Sequence, residues 1–573
     1  VSDFFEEQRN RKRFTRKRMD SKQSTVVENA APGAIDHGDG WVSFAIYAPD
    51  KKSVHLIGSF NDWNHERTPL EQKEPGYWIT AFQLDKGTYE YQFLIDKELV
   101  ICDPYARWTA PGEKDSDQPK AVIEIGKEPY KWEHDDWMRP ELHDMIIYEM
   151  HIGDFTKEGT FAAATQKLDH LEDLGISGIQ LMPICEAAPD DYWGYKPTYL
   201  MAPRRSYGSP DDFRLLVDSA HAHNMAVILD MVIAHTGHEH PFNKMYSYDK
   251  SPWYGQGLGE QNQFGLPTFS YLKEPANNFA RDVEFHWLQA YHIDGYRYDY
   301  LAGIGADDDG RGLPNLMKKV REIQPDAYFI GECIPEDPEL VNDTGLSAVW
   351  HTRCRIALDS LLFETDIEPY SPSRFAEAVS AFNPSTQGYR DAVFMVNYAE
   401  CHDDKRLMLG LRQAGFDEET AAGKHALAAA ILMTIPGEPM LYQGQECGQA
   451  TEKSLQQNKI DWNNCNTDLG KYLLENYRKM CKLRRSRSSI RSNNFNMAQV
   501  DEQKKCIVFQ RMLGESDQVV VAANFSGQKQ NLTISLPQKG YWHELEGEPF
   551  ETENSIDRQI EPYSAAIFLS GES

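Results

Sequence analysis

The segment Asp294-Gly295-Tyr296-Arg297-Tyr298-Asp299 packs two aromatic rings, a guanidinium and two carboxylates into six residues. Its centre reads as a strand. Alternate strand residues share a face, so Arg297 and Asp299 point one way and Tyr298 the other. Charge at the end of a buried strand is costly unless it serves a purpose, which marks this segment as the rim of a site. Apolar runs of similar length recur at 145–155, 178–185, 226–235, 295–301, 328–334, 348–353, 394–402 and 439–445. Helical patterns such as 161–174, 211–223 and 423–433 lie between them. Eight alternating strand and helix units predict a closed (β/α)8 barrel over 129–486, with its active site at the carboxyl ends of the strands.

Outward from the barrel the pattern changes on both sides. Residues 41–128 carry short alternating runs separated by turns and are expected to form a small β-sandwich; 487–573 alternate in the same way and are expected to form a second one. The fold class is therefore multidomain α/β, a barrel flanked by two β-sandwiches. Residues 1–40 are polar and aperiodic and read as a tail or lead-in. The irregular stretch 236–276 after the third strand is a candidate substrate-facing insertion, and it offers the rings of Trp253, Tyr254 and Tyr271.

Four strand ends carry ionisable groups. The third ends Asp230-Met231-Val232-Ile233-Ala234-His235, the fourth at Asp299, the fifth Gly331-Glu332, and the seventh Glu400-Cys401-His402-Asp403. Arg297 is expected to hold Asp299 ionised, as a nucleophile requires. Glu332 supplies a second carboxyl from the neighbouring strand. Two acids flanking one bond are what glycoside cleavage requires, one attacking the anomeric carbon and the other protonating the leaving oxygen. His235 and His402 can donate to sugar hydroxyls and Asp403 can accept from them. An isolated acid in such a place is usually a cap or a loop charge; four charged strand ends in order are not.

These motifs, together with Trp193-Gly194-Tyr195 after the second strand, resemble the α-amylase family of glycoside hydrolases and transglycosylases, and the resemblance spans nearly the whole chain. It implies Asp299 as nucleophile, Glu332 as general acid and then base, and Asp403 as the group that binds the 2- and 3-hydroxyls and distorts the ring. Arg297, His235 and His402 would line the same sugar subsite, Tyr195 would stack on it, Trp193 would bind substrate beside it, and Asp230 would hold Arg297. Ala234 stands where the family often has an asparagine ligand to calcium. Its side chain offers no oxygen, so no metal and no other cofactor is expected. The tract 58–64, Gly-Ser-Phe-Asn-Asp-Trp-Asn, resembles the glucan-binding sandwich of branching and debranching enzymes, with Trp63 as a candidate platform.

Three functions compete. The first is hydrolysis of α-1,4-glucosidic bonds in starch, glycogen or maltooligosaccharides. The second is glucan branching, in which a sugar 6-hydroxyl resolves the same covalent intermediate. The third is an inactive glucan-binding scaffold, which the intact Asp299, Glu332 and Asp403 oppose. Tracts such as Tyr195-Lys196-Pro197-Thr198 look like branching enzymes, whereas Lys405-Arg406 and Lys459-Ile460-Asp461-Trp462 look like amylases, and hydrolysis is the expectation.

With 59 basic against 88 acidic residues the net charge is −29, which excludes a polyphosphate and so a nucleic acid as the natural partner. The partner expected is a neutral α-glucan or maltooligosaccharide. No apolar run approaches the roughly 20 residues a spanning helix needs, so no membrane is expected. Nine scattered cysteines without a C-x-x-C pair point to reduced thiols and a cytoplasmic setting; because the chain starts at Val1, a secretion signal clipped before it stays compatible.

Overall fold

The computed structural model describes residues 21–28, 30–112, 118–259 and 262–571. They fall into two compact units. One holds the described residues up to Lys131 with Thr198–Arg205 and Glu239–Pro252; the other holds the remainder.

The first unit contains a four-stranded sheet in the order Gly33–Asp36, Trp41–Tyr47, Tyr77–Gln83, Glu71–Glu74, and a five-stranded sheet built on Val54–Gly58, Gly87–Ile95 and Lys120–Ile125. Phe44 of one sheet meets Tyr91 of the other edge to face at 5.0 Å. The residues before Trp41 are more ordered than a lead-in. Helix Ser21–Glu28 buries Val26 and Val27 against Trp41, Ala45, Ile79 and Ala81, and Gly33–Asp36 pairs antiparallel with Trp41–Tyr47. Residues 1–20 of the expected tail lie outside the described residues.

The second unit is built on the closed barrel that the strand pattern predicts. Its strands are Ile147–Met150, Gly178–Leu181, Ala226–Met231, Gly295–Tyr298, Tyr328–Gly331, Ala348–Trp350, Met395–Tyr398 and Glu438–Tyr442. All pairs are parallel, and Ile147 opposite Met440 closes the ring. Every residue of these strands is buried, which is why each reads as a continuous apolar run rather than an alternation. At Gly295 a Cβ would lie 2.3 Å from the Tyr328 carbonyl oxygen, so only glycine lets the fourth and fifth strands approach there. That approach sets Arg297 and Glu332 side by side. Beyond helix Asp468–Ser486 the chain forms a six-stranded sheet and a two-stranded ribbon, packed around Val508, Val520, Ile534, Trp542 and Phe568. Arg511 ties this part to the barrel by donating to the Thr434 carbonyl at 2.7 Å.

One expectation is overturned. Cys447 and Cys465 form a disulfide across 18 residues, so the cysteines are not all reduced thiols; the other seven are not disulfide-bonded. No helix among the described residues is long and apolar enough to cross a membrane.

Candidate active site

The barrel register pairs Asp230 with Arg297, and this pair is the foundation of the site. Arg297 is fully buried. Its Nη1 donates to both Asp230 oxygens at 2.7 Å and to Asp299 Oδ1 at 3.1 Å, while Nη2 lies 2.9 Å from Glu332 Oε2. The flat face of the guanidinium rests on the Trp350 ring at 4.3 Å. A planar, permanently charged fork is the side chain suited to hold three carboxylates at once.

Backbone bonds fix the two acids. Asp299 N donates to the Met231 carbonyl and Glu332 N to that of Tyr298, extending the ladders one residue past the strand ends. Tyr300, in the left-handed region at φ 49°, turns its N–H back to Glu332 Oε2 at 3.2 Å. Asp299 and Glu332 thus sit on the two nitrogens of one guanidinium. Burial and then the Glu332 carboxylate push the Asp299 carboxyl well above the ordinary aspartate value, against the pull of Arg297. The expectation that Arg297 holds Asp299 low is thus reversed in the free site, because burial and the neighbouring Glu332 charge outweigh the guanidinium.

The opposite wall comes from the seventh strand. His402 stands between Glu149, 2.7 Å from Nδ1, and Asp403, 3.1 Å from Nε2. Burial alone would lower its pKa, but the two carboxylates outweigh it and keep the ring an imidazolium. For Asp403 burial would act upward, yet His402 and then Lys453 hold its carboxyl far below the ordinary range. Tyr195 stacks on His402 at 5.3 Å and gives its hydroxyl to Asp230 Oδ2 at 2.7 Å; Trp193 meets the same imidazole edge to face at 5.4 Å. His235 is placed differently from the expectation. Its Nε2 lies 2.9 Å from the Tyr195 carbonyl, so the donor proton is spent on positioning Tyr195, and burial keeps the ring neutral.

The structure brings Trp193, Tyr195, Asp230, Arg297, Asp299, Glu332, His402 and Asp403 together and adds three residues the sequence reading passed over. Glu149 is an acid inside the first apolar run, and Trp350 is a ring at a strand end; both carried a signal. Lys453, whose Nζ lies 3.1 Å from Asp403 Oδ1, sits in an irregular loop and carried none. At Ala234 the backbone carbonyl accepts from Phe269 N at 3.1 Å and the side chain is buried. Trp253, Tyr254 and Tyr271 are also buried, with the Tyr271 hydroxyl on the Ile233 carbonyl and that of Tyr254 on Thr236.

A barrel with paired acids on its fourth and fifth strands, braced by one arginine, defines a glycosidase or transglycosylase. The chain belongs to the alpha-amylase family, whose catalytic domain matches residues 143–519. Residues 29–106 match carbohydrate-binding module 48, the isoamylase N-terminal domain, and 498–569 the alpha amylase C-terminal all-beta domain. Among relatives, a malto-oligosyltrehalose trehalohydrolase of Saccharolobus solfataricus is 27% identical over 71% of this chain and 74% of its own length. The 1,4-alpha-glucan branching enzyme GlgB of Mycobacterium tuberculosis is 29% identical over 76% of this chain, which spans 64% of that enzyme. Pullulanase type I from Bacillus subtilis shares the fold with a TM-score of 0.79 at 19% identity, covering 96% of this chain and 87% of the other.

Proposed function

We propose that the protein is a retaining hydrolase of α-1,4-glucosidic bonds in starch, glycogen or maltooligosaccharides. The observation that carries this reading is the placement of Asp299 and Glu332 on one guanidinium, 3.1 Å from Nη1 and 2.9 Å from Nη2 of Arg297. Two carboxyls that share one guanidinium favour the close spacing of retaining enzymes, about 5–5.5 Å, over the about 6.5–9.5 Å that inverting enzymes leave for a water.

The steps follow from the placement of the two carboxyls on Arg297. Protonated Glu332 gives its proton to the glycosidic oxygen as the Asp299 carboxylate attacks the anomeric carbon, so the C–O bond breaks and a glucosyl ester forms on Asp299. Arg297 and Asp230 keep the departing and arriving charge in place without rearrangement. Glu332, now ionised, takes a proton from water, whose oxygen attacks the anomeric carbon and frees Asp299. Asp403 and the imidazolium of His402 are set to hold the hydroxyls of the reacting ring.

Water is favoured over a sugar acceptor because Trp253, Tyr254 and Tyr271 of the 236–276 insertion are spent on internal packing, which leaves Phe264, beside Tyr300, as its exposed ring near the acids. The branching-enzyme relatives favour the alternative, transfer to a 6-hydroxyl. Incubation with amylose decides: reducing ends are expected to rise steadily with few new α-1,6 linkages, and abundant branches at constant reducing ends would reverse the assignment.

A further inference from the structure

After the eighth barrel strand the chain runs through a loop, 447–465, whose ends are joined by the Cys447–Cys465 disulfide. The loop is pinned to the end of the first strand. Asn458 N donates to Asp154 Oδ1 at 2.8 Å, Ile460 N to the Asp154 carbonyl at 3.0 Å, Lys459 Nζ to the carbonyls of Gly153 and Thr156, and Trp462 Nε1 to that of Phe155 at 2.8 Å. Asp154 is itself fixed by His151, 3.0 Å from Oδ2, and by the Tyr192 hydroxyl at 2.9 Å. The covalent tie and five hydrogen bonds anchor 458–462, and from there Asn458 Nδ2 reaches back to the carbonyl of Glu452, the neighbour of Lys453, at 3.1 Å.

Lys453 Nζ donates to the Asp403 carbonyl at 2.6 Å, lies 3.1 Å from Asp403 Oδ1 and stands 5.4 Å from the centre of the Trp193 ring. An ammonium has three donors, and Asp403 takes two. The crevice beyond it, between Trp193, His402, Thr451, Ser454 and Asn458, has free space of about 10 Å³, room for about one water and not for a sugar ring.

The geometry points to Lys453 as a substrate-binding and specificity-determining residue that closes the donor side of the site. Its remaining N–H serves a hydroxyl of a terminal glucosyl unit, and its bulk, with the loop behind it, stops the chain from continuing past Asp403. The enzyme then works from chain ends and not within chains. This rests on the assignment of Asp299, Glu332 and Asp403 as the glucan-cleaving site.

The test uses the full-length protein and maltoheptaose tagged at its reducing end. The wild type is expected to release short untagged products of fixed length, Lys453→Ala to cut internally and give a spread of tagged lengths, and Lys453→Arg to keep the wild-type pattern. A Lys453→Ala product pattern equal to wild type overturns the proposal, as does internal cutting by the wild type itself. Binding provides a second arm that survives failure of the hydrolase reading. In a Glu332→Gln background, calorimetric titration with maltose is expected to weaken about tenfold on adding Lys453→Ala, the loss of one charge-assisted hydrogen bond. Unchanged maltose affinity would overturn the role of Lys453 whatever the reaction proves to be.

Discussion

At the scale of single residues the site is an exercise in dividing few protons among many acids. Asp299 is raised first by burial and then by the Glu332 charge, so the acid limb of kcat/KM is expected above the ordinary aspartate range. Replacing Glu332 with glutamine removes that charge and should let Asp299 ionise at lower pH. On an aryl glucoside whose leaving group needs no proton, the acid limb of Glu332→Gln is therefore expected to move down; a limb that stays in place would show that Glu332 does not act on Asp299. On unactivated glucans the same variant should lose activity about 10²- to 10⁴-fold, the worth of a general acid, and near-native turnover would remove Glu332 from that role. The residues of this centre were legible because strand periodicity places Arg297 and Asp299 on one face. The direction of the Asp299 shift was not, since it depends on how close Glu332 comes from another strand.

Helix Glu274–Tyr291 shows what an element can hide behind a regular pattern. It buries Glu284 completely, against the hydroxyl of Tyr298 at 2.6 Å. Burial raises its carboxyl from 4.5 to about 8, with the Tyr298 hydrogen bond opposing. The folded state therefore keeps a proton that the unfolded chain releases above pH 4.5. Its contribution to stability is complete below that pH and is lost as pH rises to about 8, up to about 5 kcal/mol in all. Glu284→Gln keeps a neutral hydrogen-bonding group, so its melting temperature should fall less than that of the wild type across this window; parallel melting curves would contradict the burial argument. The barrel strands were legible because both their faces are covered, which leaves long apolar runs. The expected run 145–155 overshoots only because Ile152–Phe155 coils into a short helix at the strand end. By contrast, Ser21–Glu28 has only two apolar anchors, and the disulfide joins two short 3-10 helices, so neither left a periodic trace.

For the whole molecule, a net charge of −29 acting on an uncharged ligand leaves little for salt to screen. The KM for maltooligosaccharides is expected to change less than about twofold between low and high ionic strength, and a steep dependence would point to a charged substrate. The same barrel that organises the site also imposes an order on its making. The first strand finds its last neighbour only when Met440 pairs with Ile147. During synthesis at about 5–20 residues per second, the nascent chain waits on the order of 15–60 s with an apolar strand edge unpaired. Ribosome-bound intermediates of this protein should therefore be clients of holding chaperones, and release at any point before the eighth strand emerges should feed aggregation rather than a smaller working enzyme.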